Sequence, residues 1–593
     1  MRIIQLIRRH ASALALLSIA GGLVAAPYLI PENPDSAVFR SGILGLVLLA
    51  ACYAPVLDAL RRASLRTLIC GAAFGLLLGG ALGMGAELRF YGGLLPGMGS
   101  MLRRLAVPVL VTPLLGCLAA RIMLAAQEPP TKQKTLNWSL PVYMIILLLC
   151  WLPLLIAYYP GMLNYDFHTE YTQYLAGQWD NRHPLLYIVL CYGVFALGDA
   201  LSQPELAVLA LTLMRMIAFA AALAYSCVFA QRRRAPRWGL LAMTACYALL
   251  PVFSVMAVST AKDTLFAAAV LTLSLLSWEA LEAPEAFLSS RRKMFAFAIS
   301  VLFTWHMRKN GIAVLAMLPL LIAGAKGCRL AMARLCAVSV MLSALLAVGM
   351  NAVLRPAEQP SFQTYSLPAQ QLARAYNLGE MTEDEREELR SWYIDSDWGL
   401  QLLPHLADAA KGSLDPDKLA QNGSAFMDLW ARVGRRNMRI YTEAFLLLNM
   451  GAWYPDDQTH ATIYQPYGLD KGYLQTDEYD LSEHGIGKHN PLPKVRQLYE
   501  RICRRNVYLK YPVISQLMCT ATPLWLILLC VFSLIAKKRG RLALAASGAL
   551  VLHMSYLLGP CTLPRYMLPL FCLAPVMLVL SLSTSESTRR ESL

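Results

Sequence analysis

Charge is scarce in this 593-residue chain: Asp, Glu, Lys and Arg make up 15% of it, against 57% hydrophobic residues. Acids are the scarcer sign, 38 against 53 Lys and Arg. A composition this apolar excludes a soluble globular protein, and the length excludes a single helical hairpin; a polytopic membrane protein remains. No Walker loop, dinucleotide fingerprint or internal repeat occurs, so the nucleotide pool is not the direct energy source and no nucleic-acid partner is expected. No disulfide framework is implied either, because most of the fourteen cysteines sit inside apolar runs and only Cys503 lies well within a polar segment.

Apolar runs of about 18 to 25 residues, enough to cross about 30 Å of hydrocarbon, lie near 12–31, 39–60, 67–86, 104–126, 138–158, 203–230, 238–258, 264–282, 309–325, 330–353, 514–535, 542–558 and 564–582. A shorter run near 294–306 brings the number to fourteen. The opening "MRIIQLIRRHASALALLSIAGGLVAAP" has the basic and apolar regions of a secretory signal. It reads as an uncleaved first span, because the second span needs that orientation.

Basic clusters set the sidedness, since short cytoplasmic loops collect Lys and Arg. Arg2, Arg8 and Arg9, then "RRASLR" at 61–66, then Lys132 and Lys134 put the N-terminus inside and the end of span five outside. The apolar stretch 183–200 is read as an outer interfacial segment, because "QRRRAPR", "SSRRK", "AKGCR", "KKRGR" and Arg589–Arg590 then all fall inside. Arg103 and Arg104 are the exception, two cations at the outer surface without an explanation in the sequence. Between 355 and 513 the balance reverses, with 22 acids against 18 Lys and Arg, while the rest of the chain has 35 basic and 16 acidic residues. That segment reads as a water-facing domain, helical near a capping box at Thr382 and Glu385 and loop-like over 466–493. The expected organisation is transmembrane helices one to four in 1–137, a core in 138–354 with a first external loop at 159–202, the external domain in 355–513, and C-terminal helices with a short cytoplasmic tail in 514–593.

With that sidedness the ionisable groups at helix ends share the outer face: Asp166 and Glu170, Arg182 and His183, Lys262 and Asp263, Arg308 and Lys309, and Arg565. Ionisable groups next to hydrocarbon are costly and invite a functional hypothesis. Each also has a plain reading, Lys262 with Asp263 as a structural pair, Arg565 as a snorkelling anchor and His183–Pro184 as a helix start. Asp166 is the hardest to dismiss, in a loop lined by Tyr165, Phe167, Tyr171, Tyr174 and Trp179 where a solvated carboxylate has no structural need to be. In the external domain Trp453, Tyr454 and Asp456 form an aromatic-plus-carboxylate mixture suited to sugars, or equally a loop packed on the membrane surface.

Pro160, Gly161, Asp166, Gly177, His183 and Pro184, with Lys262–Asp263 and the late "LPRYMLPLFCLAPVML", resemble the GT-C superfamily of membrane glycosyltransferases, relatives of protein mannosyltransferases and lipid A aminoarabinose transferases. "LPAQQLARAY" at 367–376, "RKNG" at 308–311 and "NMGAWYPD" at 449–456 also resemble the recurrent pieces of an uncharacterised bacterial membrane-protein family. The resemblance covers roughly 140–582. It implies an all-α bundle of about fourteen transmembrane helices in the cell membrane, with outer interfacial helices, a mainly helical extracellular domain and cytoplasmic termini. Its implied activity is transfer of a sugar from a polyprenyl-phosphate carrier to a cell-surface glycan, lipid or protein acceptor. Asp166 then matches the general base or the ligand of a divalent metal, magnesium or manganese. Relatives carry two adjacent acids there, whereas Tyr165 and Phe167 flank Asp166; Glu170, one helical turn away, is the substitute second carboxylate. Arg182, His183, Lys262, Arg308, Lys309 and Arg565 are the candidates to neutralise the donor phosphate, with Arg308 and Arg565 favoured for their bidentate forks. A lipid-linked glycan flippase and a non-enzymatic envelope assembly protein are the competing readings.

Overall fold

The computed structural model describes residues 2–29, 43–126, 136–357, 362–456, 481–487, 489–504 and 512–582. Among the described residues every regular element is a helix, and the strand-like pairings are three isolated bridges, Met162 with Ser259, Asp180 with Ala357 and Tyr393 with Leu414. In chain order the helices that matter are α1 (Ala11–Leu29), α2 (Ile43–Arg62), α3 (Leu65–Tyr91), α4 (Met98–Ala125), α5 (Leu140–Ala157), α6 (Tyr165–Leu175), α7 (Leu185–Ala200), α8 (Pro204–Arg232), α9 (Arg237–Leu249), α10 (Pro251–Val258), α11 (Asp263–Glu282), α12 (Arg291–His306), α13 (Gly311–Gly324) and α14 (Arg329–Leu354). They continue as α15 (Ser366–Leu378), α16 (Pro416–Arg436), α17 (Met438–Leu448), α18 (Pro493–Arg504), α19 (Thr522–Ala536), α20 (Ser547–Tyr556) and α21 (Pro564–Leu582).

Eight of these, α1, α3, α4, α5, α8, α11, α14 and α21, are long and apolar enough to cross a membrane, or nine if the bent pair α9–α10 counts as one span. The chain is a multi-pass helical membrane protein. Among the described residues that is fewer than the fourteen apolar runs of the sequence, and local backbone accounts for part of the difference. A hydropathy window does not register a break: Leu250, ahead of Pro251, is extended (φ −68°, ψ 127°) and bends α9–α10 by 48°. The apolar run 542–558 likewise divides into a short helix, a 3₁₀ turn and α20. At 16 residues α7 is about 24 Å long, short of the hydrocarbon thickness.

Small residues let α3 and α4 approach closely. A Cβ on Gly75 would lie 2.6 Å from the Gly116 nitrogen, and one on Gly71 would strike the Gly116 carbonyl, so the seam tolerates only glycine. The main core gathers α5 and α8 to α11 with α21 around Trp151, Phe219, Phe253, Trp278 and Phe571. α15 to α17 form a separate cluster around Leu372, Trp392, Phe426 and Val433, and the capping box at Thr382 and Glu385 forms as expected.

Charged groups segregate to the two ends of the bundle. At one end Arg233 pairs with Glu282 (2.7 Å) and Glu279 (3.6 Å), Lys293 with Glu279 (3.0 Å), and Arg539 with Glu282 (3.4 Å). These join the "QRRRAPR", "SSRRK" and "KKRGR" clusters. The opposite end carries the helical domain, docked through Ala407 N–H to the Pro560 carbonyl (2.8 Å) and Asn449 to the Leu557 carbonyl (2.9 Å). Arg104 lies at that end too, and its anomaly resolves. Its Nε donates to Glu87 (3.0 Å), and Glu87 also accepts from Leu95 N–H (2.7 Å), so the cation is neutralised within the α3–α4 turn.

Candidate functional site

A short main-chain zipper positions the candidate site. Met162 N–H donates to the Val258 carbonyl (3.0 Å), Thr260 N–H donates to the Met162 carbonyl (3.0 Å), and Asn164 N–H donates to Thr260 Oγ1 (3.1 Å). Asn164 then caps α6, its Oδ1 accepting from Phe167 N–H (2.8 Å). The start of α6, bearing Asp166, is thereby fixed beside the start of α11, which follows Lys262.

Asp166 Oδ2 accepts from Arg565 (2.9 Å) and from Lys262 Nζ (3.3 Å). Burial alone would raise this carboxyl, but the two cations outweigh it and hold Asp166 well below the usual carboxylate range. Lys262 also donates to His183 Nδ1 (2.9 Å), which puts the ring proton of a neutral imidazole on Nε2. Burial, reinforced by the neighbouring ammonium, pushes His183 down to about 3, so it is uncharged at neutral pH.

Glu170 lies one turn beyond Asp166 on α6, which is far too short to span. It is 1% exposed, with Lys262 Nζ at 3.9 Å and His183 Nδ1 at 3.8 Å from Oε1. Burial pushes it up to about 8 despite Lys262, so it carries a proton at neutral pH. Behind it stands Arg215 of α8, completely buried. Its NH1 donates to the Tyr187 hydroxyl (2.9 Å) and the Thr260 carbonyl, while Nε and NH2 find no hydrogen-bond partner and, among the described residues, it makes no ion pair.

The sequence grouped more residues than the structure brings together. Lys262 and Asp263 do not pair with each other: Asp263 takes Arg308 (2.6 Å), whose guanidinium stacks over Tyr566 (4.4 Å) and Tyr556 (5.3 Å). Arg308 is thus a strut between α11, α20 and α21 rather than a free phosphate ligand, and a Cβ on Gly311 of "RKNG" would collide with the Thr304 carbonyl at this corner. Arg182 and Lys309 are exposed and take no part in the cluster's ion pairs. The acceptor candidates are spent on packing. Tyr454 is buried against Leu88, Leu94 and Met450, Trp453 Nε1 donates to the Leu446 carbonyl (3.2 Å), and Asp456 pairs with Arg89 (3.0 Å). Asp457 lies outside the described residues, as does most of the 466–493 loop.

Arg215, Tyr187 and Thr260 were missed from sequence. Arg215 sits within a 29-residue apolar helix where one cation barely alters the average, and an arginine well inside such a run was the available signal. The acids do not fit a bridging divalent metal. The Lys262 ammonium occupies the ground between Asp166 and Glu170, and the described residues hold no group of three His, Cys, Asp or Glu side chains arranged for a metal ion.

Fold and site together define a multi-pass helical membrane protein with an anion-gripping pair of cations at one end of its bundle. The chain belongs to DUF6020, a family of unknown function, whose model matches residues 174–592. The match takes in His183, Arg215, Lys262, Arg308 and Arg565 and begins eight residues after Asp166. Comparison with curated proteins and with solved structures gives no match.

Proposed function

We propose that this protein is a GT-C-type membrane glycosyltransferase that moves a sugar from a polyprenyl-phosphate carrier to a cell-surface acceptor at the outer face. The observation that carries this reading is the grip of Arg565 and Lys262 on the single oxygen Asp166 Oδ2, beside an aromatic helix at the domain-bearing end. On this reading the eight long helices and the shorter apolar segments together make fourteen crossings, with both termini cytoplasmic and the helical domain extracellular.

This grip has a chemical consequence. A carboxylate held by two cations is a poor base, because its pKa lies far from the working pH. The donor phosphate is an anion that competes for the same cations. When Arg565 and Lys262 turn to the phosphate, with His183 Nε2–H as a further donor, Asp166 loses its counter-charges and its basicity rises toward a solvated carboxylate. The acceptor hydroxyl then attacks the anomeric carbon, its proton passes to Asp166, and the carbon–oxygen bond to the phosphate breaks with its electrons on the leaving polyprenyl phosphate. The cations that bound the donor now stabilise the charge that grows on the leaving group. Glu170, uncharged and buried, adds no competing anion to the pocket.

One observation favours a second reading as a flippase of lipid-linked glycans. Arg215 lies eleven residues into α8, about 16 Å along its axis, where a transporter places polar groups. Reconstitution in open bilayer discs with a polyprenyl-phosphate sugar and extracted acceptor decides between them, since translocation cannot contribute there. New glycoside that requires both Asp166 and Arg565 supports the transferase. No product from any donor, with sidedness-dependent lipid movement in sealed vesicles, transfers the assignment to the flippase.

A further inference from the structure

An open cleft lies between α1, α3 and α4, apart from the Asp166 cluster and outside the family match, lined by Pro27, Tyr28, Gly83, Glu87, Arg103 and Val107 among others. Its charges do not cancel. Glu87 is taken by Arg104, whereas Arg103 donates to Ser100 (3.0 Å), lies 5.7 Å over the Tyr28 ring and, among the described residues, forms no ion pair. Next to this cation the wall turns apolar at Gly83, Val107 and Pro108, and away from the cleft α4 is exposed at Met101, Leu102, Leu105 and Val109, as a lipid-facing helix is. Tyr28 and Tyr91, both about half exposed, stand where an aromatic belt marks the headgroup level. Cation and tyrosines at one depth, with apolar wall running on from them, match an amphiphile with an anionic head.

We propose that this cleft binds an anionic phospholipid, its phosphate on Arg103 and its acyl chain along the apolar wall at Gly83, Val107 and Pro108. A free phosphate would use the guanidinium and leave the apolar wall uncovered, so the occupant is the lipid. The site also accounts for the second outer-surface arginine of the sequence, since Arg104 is neutralised inside the chain and Arg103 by the bilayer.

The test uses the full-length protein in neutral detergent with phosphatidylglycerol, phosphatidylcholine or inorganic phosphate added, read by thermal unfolding and by native mass spectrometry. Phosphatidylglycerol should raise the melting temperature and stay bound, while the other two do neither. Arg103→Gln should weaken the phosphatidylglycerol response about tenfold or more, the worth of one charge-assisted hydrogen bond. Arg103→Lys should keep part of it, and Gly83→Leu, which fills the cleft without touching the cation, should remove it. An equal response to phosphatidylcholine would mean unspecific lipid contact and overturn the proposal, as would a response to inorganic phosphate alone. An undiminished response in Arg103→Gln, or a lower melting temperature of that variant in lipid-free detergent, would overturn it as well, the latter by giving Arg103 a partner within the chain.

Discussion

Replacing Asp166 by Asn should move donor binding and turnover in opposite directions. On the proposed reading the Asp166 carboxylate, 2.9 Å from Arg565 and 3.3 Å from Lys262, competes with the donor phosphate for the same two cations. Hydrogen bonds to charged groups are worth about 1.5–3 kcal/mol each and neutral ones about 0.5–1.5. An Asn carbonyl therefore competes for the two cations more weakly by about 2–3 kcal/mol in all, and at about 1.4 kcal/mol per decade the donor should bind roughly 25-fold to 140-fold more tightly. Turnover at saturating donor should fall by about two to four orders of magnitude, the range for loss of a positioned base. The free variant should also melt lower, because two largely buried cations lose their counter-charge, and should recover when donor is added. Titration of a short-chain polyprenyl phosphate into purified protein, followed by intrinsic fluorescence, gives the affinity; single-turnover transfer gives the rate. Unchanged or weaker donor binding in Asp166→Asn would refute the competition, and with it the assignment of Lys262 and Arg565 to the phosphate.

Glu170 binds its proton up to about pH 8 in the folded protein and releases it at about pH 4.3 when unfolded, so the native state holds the extra proton between these values and stability falls as pH rises through that window. Glu170→Gln should flatten the decline of melting temperature from about pH 5 to about pH 8; an unaltered slope would show that another group causes it. Asp263→Asn strands the largely enclosed Arg308 cation and should cost about 3–5 kcal/mol, with most of the loss in thermal survival recovered by adding Arg308→Met. If the double variant is no better than the single, the pair is not what the corner depends on. Gly85→Ala drives a methyl into the Tyr454 ring and should cost about 1–3 kcal/mol while opening the 366–456 domain to limited proteolysis; wild-type resistance would show that this contact does not dock the domain.

What sequence reasoning recovered is what depends on position along the chain. Asp166, Lys262 and Arg565 are 96 to 399 residues apart, yet each announced itself as a charge where an apolar run ends, and basic-cluster sidedness put all three at one face. Pairing was not legible in the same way. Adjacent Lys262 and Asp263 looked like partners, but side chains one residue apart on a helix diverge by about 100°, and each reached across to a different element. Trp453 and Tyr454 stayed open in the sequence because aromatic rings beside a carboxylate serve a sugar and a docking seam equally well. The helix count was less legible where the backbone breaks inside an apolar run, which hydrophobicity alone does not record. Arg215 escaped because its partners, the Tyr187 hydroxyl and the Thr260 carbonyl, are uncharged and come from two other elements.

Thr260 ties the zipper from several directions, its N–H and hydroxyl to the Met162 carbonyl, its Oγ1 to Asn164 N–H, and its carbonyl to Tyr187 and Arg215. None of these bonds uses Asp166, Lys262, His183 or Arg565. The address of the site is therefore written in main chain and its chemistry in side chains that the address does not depend on. On the proposed reading, a lineage carrying this fold can trade the charge, length or donor pattern at positions 166, 183, 262 and 565, and so reach different anionic substrates, without first rebuilding the place where they meet.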